Sequence, residues 1–308
     1  MDLQVAVVVV SYNTKELLLE CLTSVAESTQ NKRIELVVVD NASEDGSYDA
    51  VRETFPDATA IRNATNLGFG AACNQGINAT NSPFILLLNS DARLTAQAYQ
   101  ALFDCLNLEP RCAAAGCGLK DAAGIEKINT RNFLTPFNQV GELAGLKIGS
   151  RLLRRTRRPN LGRNLMDCAV DWIDGACLML RRAALDECGV FDERFFMYSE
   201  DEDLCFRLRK QEWLVCFCGT ASAYHVGAAS TRRNRSDMLR QFYLSQMLFL
   251  RKHRSRRSAF LYAILMKIIL ILKHWFLRDA RRRENASENL AALREACAGD
   301  IRTDENQA

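Results

Sequence analysis

Apolar and polar positions alternate in blocks through the first hundred residues. Residues 5–10 form an unbroken apolar run between polar neighbours, the pattern of a strand buried on both faces. Over 14–28, Leu17, Leu18, Cys21, Leu22 and Val25 fall on one face at helical spacing. The pattern then predicts a buried strand at 34–39, a short helix at 47–55, a short strand at 59–62 and a helix at 68–78. A strand at 84–88 and a helix over about 95–108 follow. This βαβα succession predicts a doubly wound α/β sheet with right-handed crossovers. Ligands of such sheets sit beyond the carboxyl ends of the strands. Those ends read Ser11-Tyr12-Asn13, Asp40-Asn41 and Asn89-Ser90-Asp91, all polar.

The next stretch is less regular. Strands are expected at 113–119 and 124–128, and the basic, Pro159-containing segment 138–163 reads as a mobile loop. Residues 170–181 read as a turn at Gly175 and then a strand. The aromatic run 195–198 leads into Glu200-Asp201-Glu202-Asp203, followed by a helix at 204–211 and strands at 213–217 and 221–226, with His225 near the end. Segment 258–277 is apolar for a whole helix, about 30 Å, which spans a bilayer on length alone. However, Arg256, Lys267, His274 and Arg278 share one narrow stripe, and basic clusters flank both ends. A helix lying in the membrane interface is therefore expected, ahead of one packed on protein or a partner subunit, and ahead of a true span.

Composition narrows the classes. The 308 residues, 48% hydrophobic and 25% charged, suit one large domain with an appendage and exclude a disordered chain. The 12 cysteines lie scattered in apolar runs without CxxC pairs, so they read as reduced, buried thiols in a cytosolic protein. Cys216 and Cys218, pointing the same way on a strand, suit core packing better than a metal site. The acidic start and short apolar run at the N-terminus do not fit a signal peptide, so Asn78 in its N-A-T triplet is not expected to carry a glycan. Between residues 251 and 283, eleven Lys and Arg stand against one Asp. That local +10 in a chain of net +3 leaves −7 for the remainder, so a basic tail is attached to an acidic body.

The glycines of Gly68-Phe69-Gly70 do not make a dinucleotide fingerprint, because the third glycine is absent and the segment does not follow the first strand. There is no P-loop sequence either. Asp91 just past a buried strand is placed to hold a divalent cation against a diphosphate, and equally to cap a turn. Asp40 has the same two readings. Four carboxylates at 200–203 suit a general base or metal neighbour, or an acidic helix start. His225 alone reads as structural.

Taken in order, these segments resemble a known family. Val-Val-Ser11-Tyr12-Asn13, Val-Asp40-Asn41, Asn66-Leu-Gly68-Phe-Gly70, Leu-Asn89-Ser-Asp91, Trp172-Ile-Asp174-Gly175, Glu200-Asp201-Glu-Asp203 and His225-Val-Gly resemble family-2 glycosyltransferases of the GT-A fold. The likeness is closest to the rhamnosyltransferase-like branch and covers residues 4–235. It implies inverting transfer from a nucleotide-diphosphate sugar to an acceptor hydroxyl, assisted by Mg²⁺ or Mn²⁺. By resemblance, Ser11, Asn13, Asp40 and Asn66 belong to the donor side, Asp40 accepting from the pyrimidine N–H. Asn89-Ser90-Asp91 stands where the family has Asp-x-Asp, so metal binding falls to Asp91, with His225 as second ligand. Trp172, Asp174, Gly175 and Glu200 belong to the acceptor side. Asp201 corresponds to the catalytic base, with Asp203 close enough to compete.

The resemblance implies a transferase domain at 1–235, its nucleotide-sugar half at 1–110 and acceptor half at 111–235, and a helical, basic, membrane-associating extension at 236–308. Expected partners are the nucleotide sugar, a glycan or lipid-linked acceptor and an anionic membrane surface at the inner face of the cytoplasmic membrane; no nucleic acid is expected. Deoxythymidine-diphosphate rhamnose is the first donor expected, with galactofuranose and N-acetylhexosamine donors open. Two rivals are a sugar-1-phosphate nucleotidyltransferase, disfavoured because Ser11-Tyr12-Asn13 replaces a Gly-rich basic loop, and a catalytically inactive scaffold at the membrane.

Overall fold

The computed structural model describes residues 4–30, 33–127, 129–143, 168–227, 235–276 and 279–305. The chain divides into two compact units, the first from residues 1–133, 157–194 and 200–230, the second from 134–156, 195–199 and 231–308.

The first unit opens with β1 (Val5–Ser11), α1 (Lys15–Ser28), β2 (Ile34–Asp40), α2 (Ser47–Thr54), β3 (Thr59–Arg62), α3 (Phe69–Asn78) and β4 (Phe84–Asn89), as the pattern predicts to within one or two residues. Then come β5 (Ala92–Arg93), α4 (Ala96–Leu108) and β6 (Cys112–Lys120). Thr95 caps α4, its hydroxyl accepting from the Ala98 amide. Two short strands, β7 (Glu126–Lys127) and β8 (Thr130–Arg131), follow. In the second unit α5 (Pro136–Leu143) occupies the start of the segment expected to be a loop; the rest of that segment, like Ile128, lies outside the described residues. Back in the first unit are β9 (Cys168–Ala169), β10 (Trp172–Ile173), β11 (Cys177–Arg181), α6 (Arg182–Cys188), α7 (Glu200–Lys210) and β12 (Leu214–His225).

The main sheet runs β3-β2-β1-β4-β11-β6-β12-β5. The first four strands are parallel, β11 is antiparallel to both neighbours, and β12 is parallel to β6. It is thus a mixed sheet, and the two halves expected along the sequence share it. Continuous apolar strands are explained by burial on both faces. Val5, Val7, Val9, Leu86 and Leu88 pack with Leu18 and Leu22 of α1 and Leu102 of α4. Val8, Val10, Ile85 and Leu87 pack with Ile77 of α3, Leu185 of α6 and Leu204 of α7.

Two expectations fail locally. The strands predicted at 213–217 and 221–226 are one strand, β12, whose pairing with β6 shifts register between Cys218 and Ser222. Helix α7 starts at Glu200 rather than 204, because the acidic residues fill its first turn, where the helix dipole favours them.

Among its described residues the second unit also holds α8 (Arg235–His253), α9 (Arg256–Phe276) and α10 (Ala280–Glu305). Helix α9 packs Ala259, Tyr262, Met266 and Leu270 inward, and its length and composition are enough to cross a membrane. Its opposite face leaves Phe260, Ile264, Ile268, Leu272, Trp275 and Phe276 exposed. His274, expected on the basic stripe, is held through Nδ1 by the Ser287 hydroxyl; Arg278 lies outside the described residues.

Candidate active site at the strand ends

Strands β1, β2 and β4 deliver Ser11, Asp40 and Asn89 to one edge of the sheet. The loop after β1 turns sharply, with Asn13 at φ 54°, and Ala42 after β2 has φ 70°, a conformation non-glycine residues rarely adopt. Asn13 anchors the two loops to each other: its side-chain oxygen accepts from the Glu44 amide at 2.9 Å, and its own amide donates to Ser43 Oγ at 2.9 Å. Asp40 is 1% exposed. Its Oδ2 accepts from the Ser43 amide, while Oδ1 has no protein partner and is buried. Leaving a buried carboxylate oxygen unsatisfied costs about 1–3 kcal/mol or more, so this atom is an acceptor in waiting.

Ser11 and Asn66, assigned to the donor side by resemblance, direct their side chains to protein partners. Ser11 is fully buried and its hydroxyl meets Thr14 Oγ1, which in turn meets Ser90 Oγ at 2.8 Å. That hydroxyl chain braces the β1 loop against the Asn89-Ser90-Asp91 turn. Asn66 Oδ1 accepts from Asn41 Nδ2 at 2.8 Å and from the Gly68 amide at 2.9 Å. Asn41 also accepts from Asn63 and from the Leu67 amide, and Asn63 and Gln75 exchange two side-chain bonds. Asn63 and Gln75 were not singled out from the sequence; with Asn41 they clamp the 63–68 loop.

Past β4, the short strand β5 pairs with the end of β12, setting His225 opposite Ala92. The Val226 amide donates to the Asp91 carbonyl. This pairing, which no local pattern announces, brings His225 Nε2 to 3.1 Å from Asp91 Oδ1 and 3.4 Å from Asn89 Nδ2. Asn89 Oδ1 is buried without a protein partner. A carboxylate oxygen, an imidazole nitrogen and an unsatisfied amide oxygen form a donor set that fits a divalent cation of the Mg²⁺ or Mn²⁺ kind.

The second cluster lies on α7 and the turn before β11. Strand β10 pairs with β8 and rests Ile173 against Gly116; a Cβ there would lie 2.5 Å from Ile173 Cγ2, so only glycine allows the approach. The turn that follows carries Asp174, whose amide donates to the Asn129 carbonyl at 3.0 Å. Arg131 stands 3.9 Å from Asp174 and over the Trp172 ring; it too was missed, since only the β8–β10 pairing brings it close. Trp172 Nε1 donates to the Asn132 carbonyl.

The four carboxylates of α7 separate cleanly. Glu200, Glu202 and Asp203 are 6%, 3% and 0% exposed, whereas Asp201 keeps a partly open surface. Asp203 Oδ2 accepts from Arg207 Nε at 2.9 Å, and Arg207 donates through Nη1 to the carbonyls of Cys188 and Gly189 and through Nη2 to that of Val190. Asp203 is therefore a structural partner. Asp201 Oδ2 accepts from the Gly175 amide at 2.9 Å and Oδ1 from the Glu202 amide at 2.8 Å. Burial, with the negative charge of Asp174, lifts Asp201 from the usual 3.8 to about 7 despite those amides. Burial also raises Asp174, against Arg131 and His225. Glu200 is pushed well above the carboxylate range by burial and by Asp201, and its Oε2 has no protein partner. A carboxylate poised near neutrality is what proton abstraction from a hydroxyl needs.

The family described as Glycosyl transferase family 2 matches residues 6–189. An N-acetylglucosaminyl-diphospho-decaprenol L-rhamnosyltransferase of Mycobacterium tuberculosis is 28% identical over 300 residues, 90% of this chain and 94% of that protein. A low-salt glycan biosynthesis hexosyltransferase, Agl10, of Haloferax volcanii is 24% identical over 231 residues, 70% of this chain and 68% of its own. Among solved structures, a mannosyltransferase from Pyrobaculum calidifontis in complex with GDP-Man and Mn²⁺ superposes with TM-score 0.59 at 16% identity, covering 97% of this chain and 87% of that one. The Staphylococcus aureus TarS fragment 1–349 gives 0.51 at 14% identity, covering 98% and 92%. These structures share the GT-A fold with this chain.

Proposed function

The chain belongs to glycosyl transferase family 2, and we propose that it transfers rhamnose, with inversion, from its deoxythymidine-diphosphate-activated form to a sugar hydroxyl on a lipid diphosphate. The observation that carries this reading is the division of the acidic groups: Asp91 lies against His225 at the end of β4, and Asp201 is held separately by the Gly175 turn. The near full-length similarity to the mycobacterial rhamnosyltransferase supports the choice of sugar and acceptor class.

On the donor side, the free Oδ1 of Asp40 is set to accept from the base N–H, and Asn13 holds the loop that flanks it. Ser11 and Asn66 act by holding those loops. Asp91 and His225, with Asn89 beside them, would hold the divalent cation. Bound there, it supplies charge neutralisation to the leaving diphosphate. On the acceptor side, Trp172 offers an aromatic surface for a sugar ring, with Arg131 stacked above it. Asp201 takes the proton of the attacking hydroxyl as the new bond forms. The Gly175 and Glu202 amides fix both of its oxygens, so the base is oriented before the acceptor arrives. Burial disfavours the ionised form of Glu200 beside Asp201.

Lipid-linked acceptors require access to a membrane, and the same proposal assigns the exposed face of α9 to an anionic lipid surface on the cytoplasmic side. Phe260, Ile264, Ile268 and Trp275 supply the apolar contact, and Arg256, Arg257 and Lys267 supply the charge. The test is transfer itself. The full chain is incubated with nucleotide-activated rhamnose, galactofuranose and N-acetylhexosamine and a short-chain lipid-diphosphate-linked N-acetylglucosamine, with and without Mn²⁺. Mn²⁺-dependent extension with the rhamnose donor is expected. Donor binding without turnover toward any acceptor would instead favour an inactive scaffold.

A further inference from the structure

A second convergence of ionisable side chains lies in the core of the first unit. Cys105 on α4, Cys112 on β6 and Cys216 on β12 bring their sulfurs within 4.8 Å of one another, all three buried. Cys105 Sγ and Cys112 Sγ are 3.7 Å apart. A single cation held tetrahedrally by thiolates at about 2.3 Å sets its sulfurs about 3.8 Å apart. Cys218 lies two residues further along β12 and so on the same face, its sulfur 3.7 Å from the Ala101 carbonyl of α4.

Buried cysteines usually serve as small hydrophobes. That role explains Cys73 and Cys205, which belong to the apolar cluster on the other face of the sheet. It does not require sulfurs from three elements to converge within 4.8 Å. The chain between two of these cysteines is braced: Arg181 donates from Nε to the Cys112 carbonyl at 2.8 Å and from Nη2 to the Glu109 carbonyl at 3.0 Å.

We propose that Cys105, Cys112 and Cys216, with Cys218 alongside, form a buried thiolate site for a soft cation, zinc or univalent copper, distinct from the hard-cation site at Asp91 and His225. Sulfur ligands select such ions, whereas carboxylate and amide oxygens select Mg²⁺ and Mn²⁺. Each thiol that binds releases its proton to solvent as the sulfur–metal bond forms, with no change of oxidation state. Bound there, the ion ties α4 to β6 and β12, and its role is structural.

The experiment uses the full chain, reduced and stripped with chelator, in excess Mg²⁺ to fill the hard-cation site. Cd²⁺ is the probe, followed by its thiolate charge-transfer absorption, with Zn²⁺ and Cu⁺ competed against it. One equivalent is expected, displaced by the soft ions and not by Mn²⁺. Cys112→Ala and the double variant Cys105→Ala/Cys216→Ala lose the band. Cys117→Ala keeps it; that thiol lies in the same core, 3.9 Å from Cys177. Asp91→Asn also keeps it, so the result is independent of the proposed transfer reaction. Should the alanine variants misfold, alkylation mapping of the wild-type chain under mild denaturation decides, with Cd²⁺ expected to protect residues 105, 112 and 216. Absence of the band in the wild type, its persistence in the double variant, protection at cysteines other than these three and Cys218, or a Cys105–Cys112 disulfide forming in place of binding would each overturn the assignment.

Discussion

Asp201 and Asp203, two residues apart on α7, are predicted to fail in opposite ways when each is changed to Asn. Asp203 is fully buried, and its partner Arg207 is pinned by three main-chain carbonyls. Neutralising Asp203 therefore leaves a held, mostly buried cation without its counter-charge, because the guanidinium cannot swing out to water. Removing one partner of such a pair costs about 3–5 kcal/mol, and the lower end applies because Asn still offers an oxygen. At roughly 2–4 °C per kcal/mol for a domain of this size, the melting temperature of Asp203→Asn should fall by about 6–12 °C. Asp201→Asn loses one of two amide-to-carboxylate bonds, about 1 kcal/mol, and gains relief from the Asp174 charge. Its melting temperature should stay within a few degrees of wild type. Turnover should show the reverse order. Asp201→Asn should lose roughly 100-fold or more, the scale of general-base removal, with donor affinity little changed. Asp203→Asn, assayed well below its melting point, should retain most of its rate. Calorimetry and initial rates on the same preparations read both quantities. A stable but inactive Asp203→Asn beside an active Asp201→Asn would refute the assignment of the base.

Further outcomes follow from the site and from α9. Because the folded chain raises Asp201 from 3.8 to about 7, kcat/KM for the acceptor should climb with pH toward a plateau above about 7; Asp174→Asn should move that limb to lower pH. The sign for stability is opposite: between roughly pH 4 and 7 the folded chain keeps a proton that the unfolded chain releases, so this group's contribution to stability declines as pH rises, measurable by urea melts. Asp91→Asn should abolish Mn²⁺-dependent donor binding in calorimetric titration with little change in melting temperature, and unaltered binding would remove Asp91 from the metal site. The intact chain should bind anionic liposomes at low salt and release from them at high salt, and Ile264→Gln/Ile268→Gln should weaken binding. Binding indifferent to both changes would point to α9 as a protein-packing or membrane-crossing element.

The strand edges were legible because buried parallel strands announce themselves as apolar runs, and the first polar residue after each run marks the edge. Ser11, Asp40 and Asn89 were found that way. What those side chains do at the edge was not legible: Ser11 and Asn66 turn inward, and only the hydrogen-bonded loops reveal it. The start of α7 was misplaced because the helix was counted from the first apolar residue, Leu204; the reading of the acids as a helix start holds, and three of the four are buried in that turn. β12 was split because Gly219 and Thr220 interrupt its apolar pattern where the ladder shifts register. Contacts made by distant strands were the least legible. Arg131 with Asp174, and Cys105 with Cys216, meet only after β8 finds β10 and α4 packs on the sheet.

The central claim is that one carboxylate, Asp201, activates the acceptor for direct displacement at the donor's anomeric carbon. The anomeric configuration of the transferred sugar, read by proton NMR of the purified product, tests this most directly. A single displacement gives the configuration opposite to the donor's. A product that retained the donor's configuration would require two displacements or a different reaction face, and would contradict the account.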